Sequence, residues 1–187
     1  DLRFTDIAGK MQHVTQHIDT IDEDALTEGF MFDGSSIAGW KAINESDMTL
    51  MPDLYRAYID PFFAQPTLAL FCDVLEPSSG EAYDRDPRGT AKAALAHIES
   101  LGIADTAFFG PEAEFFIFED VKIDVSMNRG LYSVDSVEGP YNSARKYGEG
   151  NLGHRPGVKG GYFPVPPVDS GQDIRSEMVS VMADMGV

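Results

Sequence analysis

The chain has 187 residues, of which 43% are hydrophobic and 24% charged, so it has room for one ordinary core or two small ones. Its 14 basic against 31 acidic residues give a net charge of −17, which repels nucleic-acid backbones and anionic membrane surfaces. No run approaches the roughly 20 apolar residues that span a bilayer, and Asp1-Leu2-Arg3-Phe4-Thr5-Asp6 lacks the basic start and apolar core of a signal peptide. The expectation is a soluble, cytoplasmic protein with no nucleic-acid or membrane partner. The chain opens on Asp1 rather than Met, so its first residue is not taken as the start of a gene.

In chain order, Leu2, Phe4 and Asp6 alternate with polar neighbours, as do Met11, His13 and Val14 after the Ala8-Gly9 turn, which predicts a two-stranded hairpin. Thr20 to Glu28, acidic and closed by Gly29, predicts a short capped helix. Met31 to Asp47 has no usable period and reads as a structured loop. Strands return at Thr49–Met51, Tyr55–Ile59 and Thr67–Leu75, completing a β-grasp-like domain over residues 1–80. Cys72, the single cysteine, lies in that last apolar run and reads as a buried hydrophobe, with no intrachain disulfide possible.

Glu76-Pro77-Ser78-Ser79-Gly80-Glu81 has the composition of a linker into a second domain, 81–187. Asp86 as N-cap and Pro87 at the first helical position start a helix that stops at Gly102, with Ala91, Ala94, Leu95 and Ile98 on its apolar side. Thr106 to Phe118 reads as β-rich and largely buried, 128–161 as long loops, and Gly171 to Met185 as a final helix with an uncovered apolar face. The class is therefore α+β.

Three constellations could carry chemistry. Glu112 and Glu114, two apart among Phe, Ile and Ala, share one face if the segment is a strand. Two carboxylates side by side call for a cation between them, for which Mg²⁺ or Mn²⁺ suits oxygen donors; a plain solvent-facing side explains the alternation equally well. In Met31–Trp40, Asp33 with Gly34, Ser35 and Ser36 forms a turn that could present a carboxylate to a small cation, ammonium included, although Asp-Gly-Ser is also ordinary turn chemistry. The Gly- and Lys-bearing stretch Asn151–Pro167 lacks the Walker pattern, and His13, His17, His97 and His154 are scattered without metal-ligand spacing.

Taken in order, Met31–Trp40 with Asn44–Met48, then Gly110-Pro111-Glu112-Ala113-Glu114-Phe115-Phe116, then Lys159–Ser170 with Asp173–Met178, the chain resembles the class I (bacterial-type) glutamine synthetases along nearly its whole length. That resemblance implies an N-terminal β-grasp domain followed by the first part of an α/β catalytic domain. It implies an ATP-dependent ligase that joins ammonium to glutamate through a γ-glutamyl phosphate. Glu112 and Glu114 would each bind one of two Mg²⁺ or Mn²⁺ ions, and Asp33, with Ser36 beside it, would take a proton from ammonium. The Asp33 loop would serve a neighbouring subunit's site in a homo-oligomer, a dodecamer of two stacked hexameric rings. Members of that family continue well beyond residue 187, and most nucleotide and glutamate contacts and the other metal ligands lie there. The chain thus reads as an N-terminal portion, too short to complete the reaction alone.

Two other readings remain. A γ-glutamyl–amine ligase acting on a larger amine would have less need of an anionic pocket such as Asp33-Gly34-Ser35-Ser36, and a non-catalytic relative would have less need of Glu112 and Glu114.

Overall fold

The computed structural model describes residues 1–142 and 155–187; His154 and the rest of 143–154 lie outside the described residues. Residues 1–109 with 182–187 form one compact unit, and residues 110–181 a second.

The first unit is built on a five-stranded sheet of order β2-β1-β5-β4-β3: β1 (Leu2–Thr5), β2 (Met11–Val14), β3 (Phe30–Asp33), β4 (Asp47–Ile59) and β5 (Leu68–Leu75). β1 and β5 run parallel, and the other three pairings are antiparallel. The predicted first hairpin is β1–β2. Its turn closes on Asp6, whose Oδ1 accepts the N–H groups of Ala8 and Lys10, both at 2.9 Å, while Oδ2 accepts Gln12 Nε2 at 2.9 Å. The Gln12 amide, then the backbone donors, hold the Asp6 carboxyl below the usual aspartate range.

The structure differs from expectation at two places in this sheet. Met31 to Asp47 is not all loop: Phe30–Asp33 pairs with Asp47–Leu50, a strand too short for its alternation to show in sequence. The two strands expected at 49–51 and 55–59 are one strand, β4, interrupted where residues 53–56 bulge opposite Phe71. Pro52, which has no N–H to donate, sits at the start of that bulge.

The core lies between this sheet and the elements laid on it. Met48, Leu50, Cys72 and Val74 are fully buried, together with Leu2, Phe4, Phe30, Trp40, Leu70 and Tyr83. Each buried aliphatic side chain contributes about 1.5–3 kcal/mol by leaving water. Helix α1 (Glu23–Glu28), capped by Asp22 through a 2.8 Å bond from Ala25 N–H, adds half-buried Ala25 and Leu26. Burial pushes the Cys72 thiol up to about 12, so it is an inert core group as expected.

The linker-like stretch is a tight turn: Gly80 N–H donates to Glu76 O at 2.8 Å, and Glu76 N–H to Glu81 O at 2.9 Å. It delivers Asp86, which is 1% exposed, to the start of helix α2 (Pro87–Ser100). One carboxylate oxygen of Asp86 accepts Arg88 N–H at 3.0 Å, capping the helix, and the other accepts the buried Val74 N–H of β5 at 3.1 Å. The Asp86 carboxylate thus bridges helix and sheet through backbone donors of both. Beyond the cap, Ala91, Ala94 and Leu95 remain exposed and Ile98 half-buried.

In the second unit, β6 (Asp120–Ser126) and β7 (Arg129–Asp135) form a hairpin in full register. The expectation of loops from 128 onward therefore fails for β7, whose Arg-Gly start hid the pattern. Asn142 Nδ2 donates to Asp135 Oδ1 at 2.8 Å while Asn142 Oδ1 accepts from the Arg155 guanidinium at 2.6 Å, tying the chain after β7 to the hairpin. The expected buried strand over 106–118 is absent: the segment has no ladder partner among the described residues, and Phe108, Phe109 and Phe116 are more than 80% exposed. A strand exists only with a neighbour to take its N–H and C=O groups, and none is described here. The last helix, α3 (Gln172–Asp184), forms as expected, with Ile174, Met178 and Met182 exposed along one side. Among the described residues no helix is long and apolar enough to cross a membrane.

Replacing Asp86 by Ala strands a buried backbone donor and uncaps α2, and is expected to cost about 2–4 kcal/mol. Urea unfolding followed through Trp40, the only tryptophan, measures it; an unchanged midpoint would refute the bridging role. The lowered Asp6 pKa gives stability that is present above the unfolded value of about 3.9 and is lost as pH falls below it. Asp6→Asn should flatten the acid limb of the stability profile, measured by the same fluorescence.

Candidate functional site

Asp33 ends β3, where the register with β4 sets Phe30 opposite Leu50, Phe32 opposite Met48 and Asp33 opposite Asp47. Phe30, Leu50 and Met48 fill the buried face, so the period of two turns Asp33 and Asp47 to the other face, where both are exposed. A single 3-10 turn, Gly34–Ser36, follows and is capped by Asp33 itself. Gly34 N–H donates to Ser46 O at 2.7 Å, closing the loop across the strand pair. Only glycine fits at 34, because a Cβ there would lie 2.3 Å from Met48 Sδ. The far end of the loop is anchored by Trp40, buried with ring centroids 5.5 Å from Phe4 and 5.3 Å from Tyr83.

The Asp33 carboxylate is held by its own turn. Ser35 N–H and Ser35 Oγ donate to Oδ1 at 2.8 and 2.6 Å, and Ser36 Oγ donates to Oδ2 at 3.3 Å. The Ser35 hydroxyl foremost, then the Ser35 N–H, hold the Asp33 carboxyl below the ordinary aspartate range, with the Ser36 and Ser46 hydroxyls adding less. Asp33 is thus an exposed carboxylate kept ionised by hydroxyl and amide donors and free of any cationic partner among the described residues. The motif reading singled out Asp33 and Ser36 and passed over Ser35, although an Asp side chain accepting the N–H two residues on is a recognisable local pattern.

Glu112 and Glu114 lie in the second unit, on the exposed segment that is not a strand, so the expected shared face of a sheet is not found. Neither has a hydrogen bond or ion pair with a described residue. Their hard oxygen donors, uncompensated by any cation among the described residues, are of the kind that suits Mg²⁺ or Mn²⁺. No group of three or more His, Cys, Asp or Glu side chains able to hold a metal occurs among the described residues. Of the Lys159–Ser170 stretch, Lys159 takes a left-handed backbone conformation with φ of 58°, and Tyr162 and Phe163 are exposed. No described residue brings a phosphate-binding cradle there.

Family models match both parts of the chain: the glutamine synthetase β-grasp domain over residues 1–77 and the glutamine synthetase catalytic domain over 84–187. The glutamine synthetase of Azospirillum brasilense is 66% identical over 187 residues, and that of Salmonella typhimurium 59%; each match covers this whole chain and 40% of the relative. The fold is similar to that of a cryo-EM structure of Plasmodium falciparum glutamine synthetase, with a TM-score of 0.81 at 22% identity over all of this chain and 36% of that one. The chain thus spans about 40% of the length of the curated relatives it matches. With both domain families matched in order and 66% identity to a relative over every residue, the chain belongs to the glutamine synthetase family, carrying its β-grasp domain and the start of its catalytic domain.

Proposed function

We propose that this chain serves a glutamate–ammonia ligase, which makes glutamine from glutamate, ammonium and ATP. The observation that carries the reading is the 66% identity across all 187 residues to a relative named glutamine synthetase. The geometry of Asp33 supports it: an ionised, exposed carboxylate with hydroxyls around it and no competing cation is suited to attract ammonium.

In this reading ATP transfers its γ-phosphoryl group to the γ-carboxylate of glutamate, giving an acyl phosphate. Asp33 holds ammonium by charge and takes one proton as the nitrogen commits to the acyl carbon; the new C–N bond forms, phosphate leaves with the C–O bond electrons, and the second proton lost from nitrogen goes to that departing phosphate. Ser36 lies beside the carboxylate and can accept a hydrogen bond from the same cation. Glu112 and Glu114 would each hold one Mg²⁺ or Mn²⁺ ion, which when bound neutralises charge on the phosphates and the substrate carboxylate. ATP is a substrate in this scheme, and the protein acts in the cytoplasm as a homo-oligomer, a dodecamer in which the Asp33 loop completes a neighbouring subunit's site. The domain division 1–80 and 81–187 belongs to the same reading, placing Asp33 in the first domain and the glutamate pair in the second.

Phosphate release from ATP by the complete oligomeric enzyme, with Mg²⁺ and glutamate and compared with and without ammonium, tests the activity: ammonium-dependent release with glutamine formed is expected, and release indifferent to ammonium would overturn it. Asp33→Ala should lower ammonium-dependent glutamine formation by about 10²-fold or more while acyl phosphate, trapped with hydroxylamine, still forms. An unaltered ammonium dependence removes Asp33 from that role. Glu114→Ala should abolish turnover and weaken Mn²⁺ binding with the far-ultraviolet dichroism unchanged, and a fully active variant would remove the metal assignment.

A further inference from the structure

The two oxygens of Asp33 are not equivalent. Oδ1 carries both bonds from Ser35, and the hydroxyl bond of 2.6 Å falls in the short range of charge-assisted O–H donors. Oδ2 receives the Ser36 hydroxyl at 3.3 Å, longer than a well-formed O–H bond, and the Ser46 hydroxyl adds less to the carboxylate than either bond from Ser35. Ser35 is half-buried whereas Ser36 is exposed. Its backbone is fixed by Gly34, which is wedged against Met48 and bonded to Ser46 O at 2.7 Å. Asp33 also faces Asp47 across the β3–β4 pair, and like charges directly opposite one another push apart. Without donors on one oxygen the carboxylate would turn away from Asp47 and from its present aim.

We propose that Ser35 is a positioning residue for ammonium use: its hydroxyl saturates Oδ1 and so leaves Oδ2 as the oxygen that meets the cation. This rests on the reading of Asp33 as the ammonium-binding carboxylate. Ser35 touches no substrate in this scheme and acts through Asp33 alone. Loss of its hydroxyl leaves the N–H bond to Oδ1 in place, so the carboxylate loosens rather than collapses. The consequence falls on ammonium and not on glutamate or ATP.

Steady-state kinetics on the complete oligomeric enzyme, varying ammonium, glutamate and ATP in turn, tests this with Ser35→Ala, Ser35→Thr and Asp33→Ala. Ser35→Ala should raise the KM for ammonium roughly tenfold or more, the worth of one hydrogen bond to a charged group, with the KM values for glutamate and ATP unchanged. Ser35→Thr, which keeps the hydroxyl, should recover most of that loss. An unchanged ammonium KM in Ser35→Ala, a joint rise in all three KM values, or a Thr variant as poor as Ala overturns the positioning role. Should Ser35→Ala fail to fold, as Trp40 fluorescence would report, Ser35→Cys replaces it: its weaker donor should give a rise in ammonium KM alone, and none overturns the role. If Asp33→Ala itself leaves ammonium use intact, the underlying reading of Asp33 has failed, a result separate from any outcome at Ser35.

Discussion

The register between β3 and β4 is the constraint on which the candidate site depends. Four residue pairs, from Phe30 opposite Leu50 to Asp33 opposite Asp47, set an apolar face inward and an acidic end outward. A slip of one residue would carry Asp33 into the core and expose Phe30, a change opposed by the burial of Met48 and Leu50 on the partner strand. The same pairing brings Ser46 O to Gly34 N–H and Met48 against Gly34, so the turn after Asp33 has one way to run. Core packing and the aim of the Asp33 carboxylate are thus one specification. It is reinforced from behind by Trp40, whose indole is packed between Phe4 and Tyr83.

Scarcity of positive charge shapes the rest of the acidic surface. With 14 basic against 31 acidic residues, two of the arginines serve to join elements of the first unit. Arg3 bonds Asp1 at 2.8 Å and Asp60 at 2.6 Å, tying β1 to the residue after β4. Arg88 bonds Asp53 of β4 and, at 2.8 Å, Asp73 of β5, so the first turn of α2 is held against two strands. Asp86 completes that junction without any charge partner, by accepting backbone donors from helix and strand. The carboxylates read as functional, Asp33, Glu112 and Glu114, are left without such cations among the described residues. An acidic group that the fold does not neutralise is available to a metal ion or to ammonium.

The second unit shows what local pattern cannot secure. Thr106 to Phe118 has the composition of a buried strand, yet it lies exposed and unpaired among the described residues, because apolar side chains and extended backbone need partners that no sequence window contains. β6 and β7, with less apolar sequence, do form a ladder since each is the other's neighbour across a two-residue turn. The chain covers 40% of the length of the relatives it matches, and α3 likewise keeps Ile174, Met178 and Met182 exposed.

By itself the sequence determined the α+β class, the first hairpin, the caps at Asp86 and Pro87, the burial of Cys72 and the last helix, because each follows from contacts within a few residues or from the solvation of one side chain. The family also was legible, through three motifs in order along the chain. Tertiary structure alone decided that β1 lies parallel to β5, that β4 is one bulged strand and that Phe30–Asp33 is a strand at all, since pairing is a property of segments distant in sequence. It alone showed that the hydroxyl nearest Asp33 is that of Ser35 rather than Ser36, for the choice between adjacent serines is made by backbone direction, which Gly34, Met48 and Ser46 fix from across the sheet.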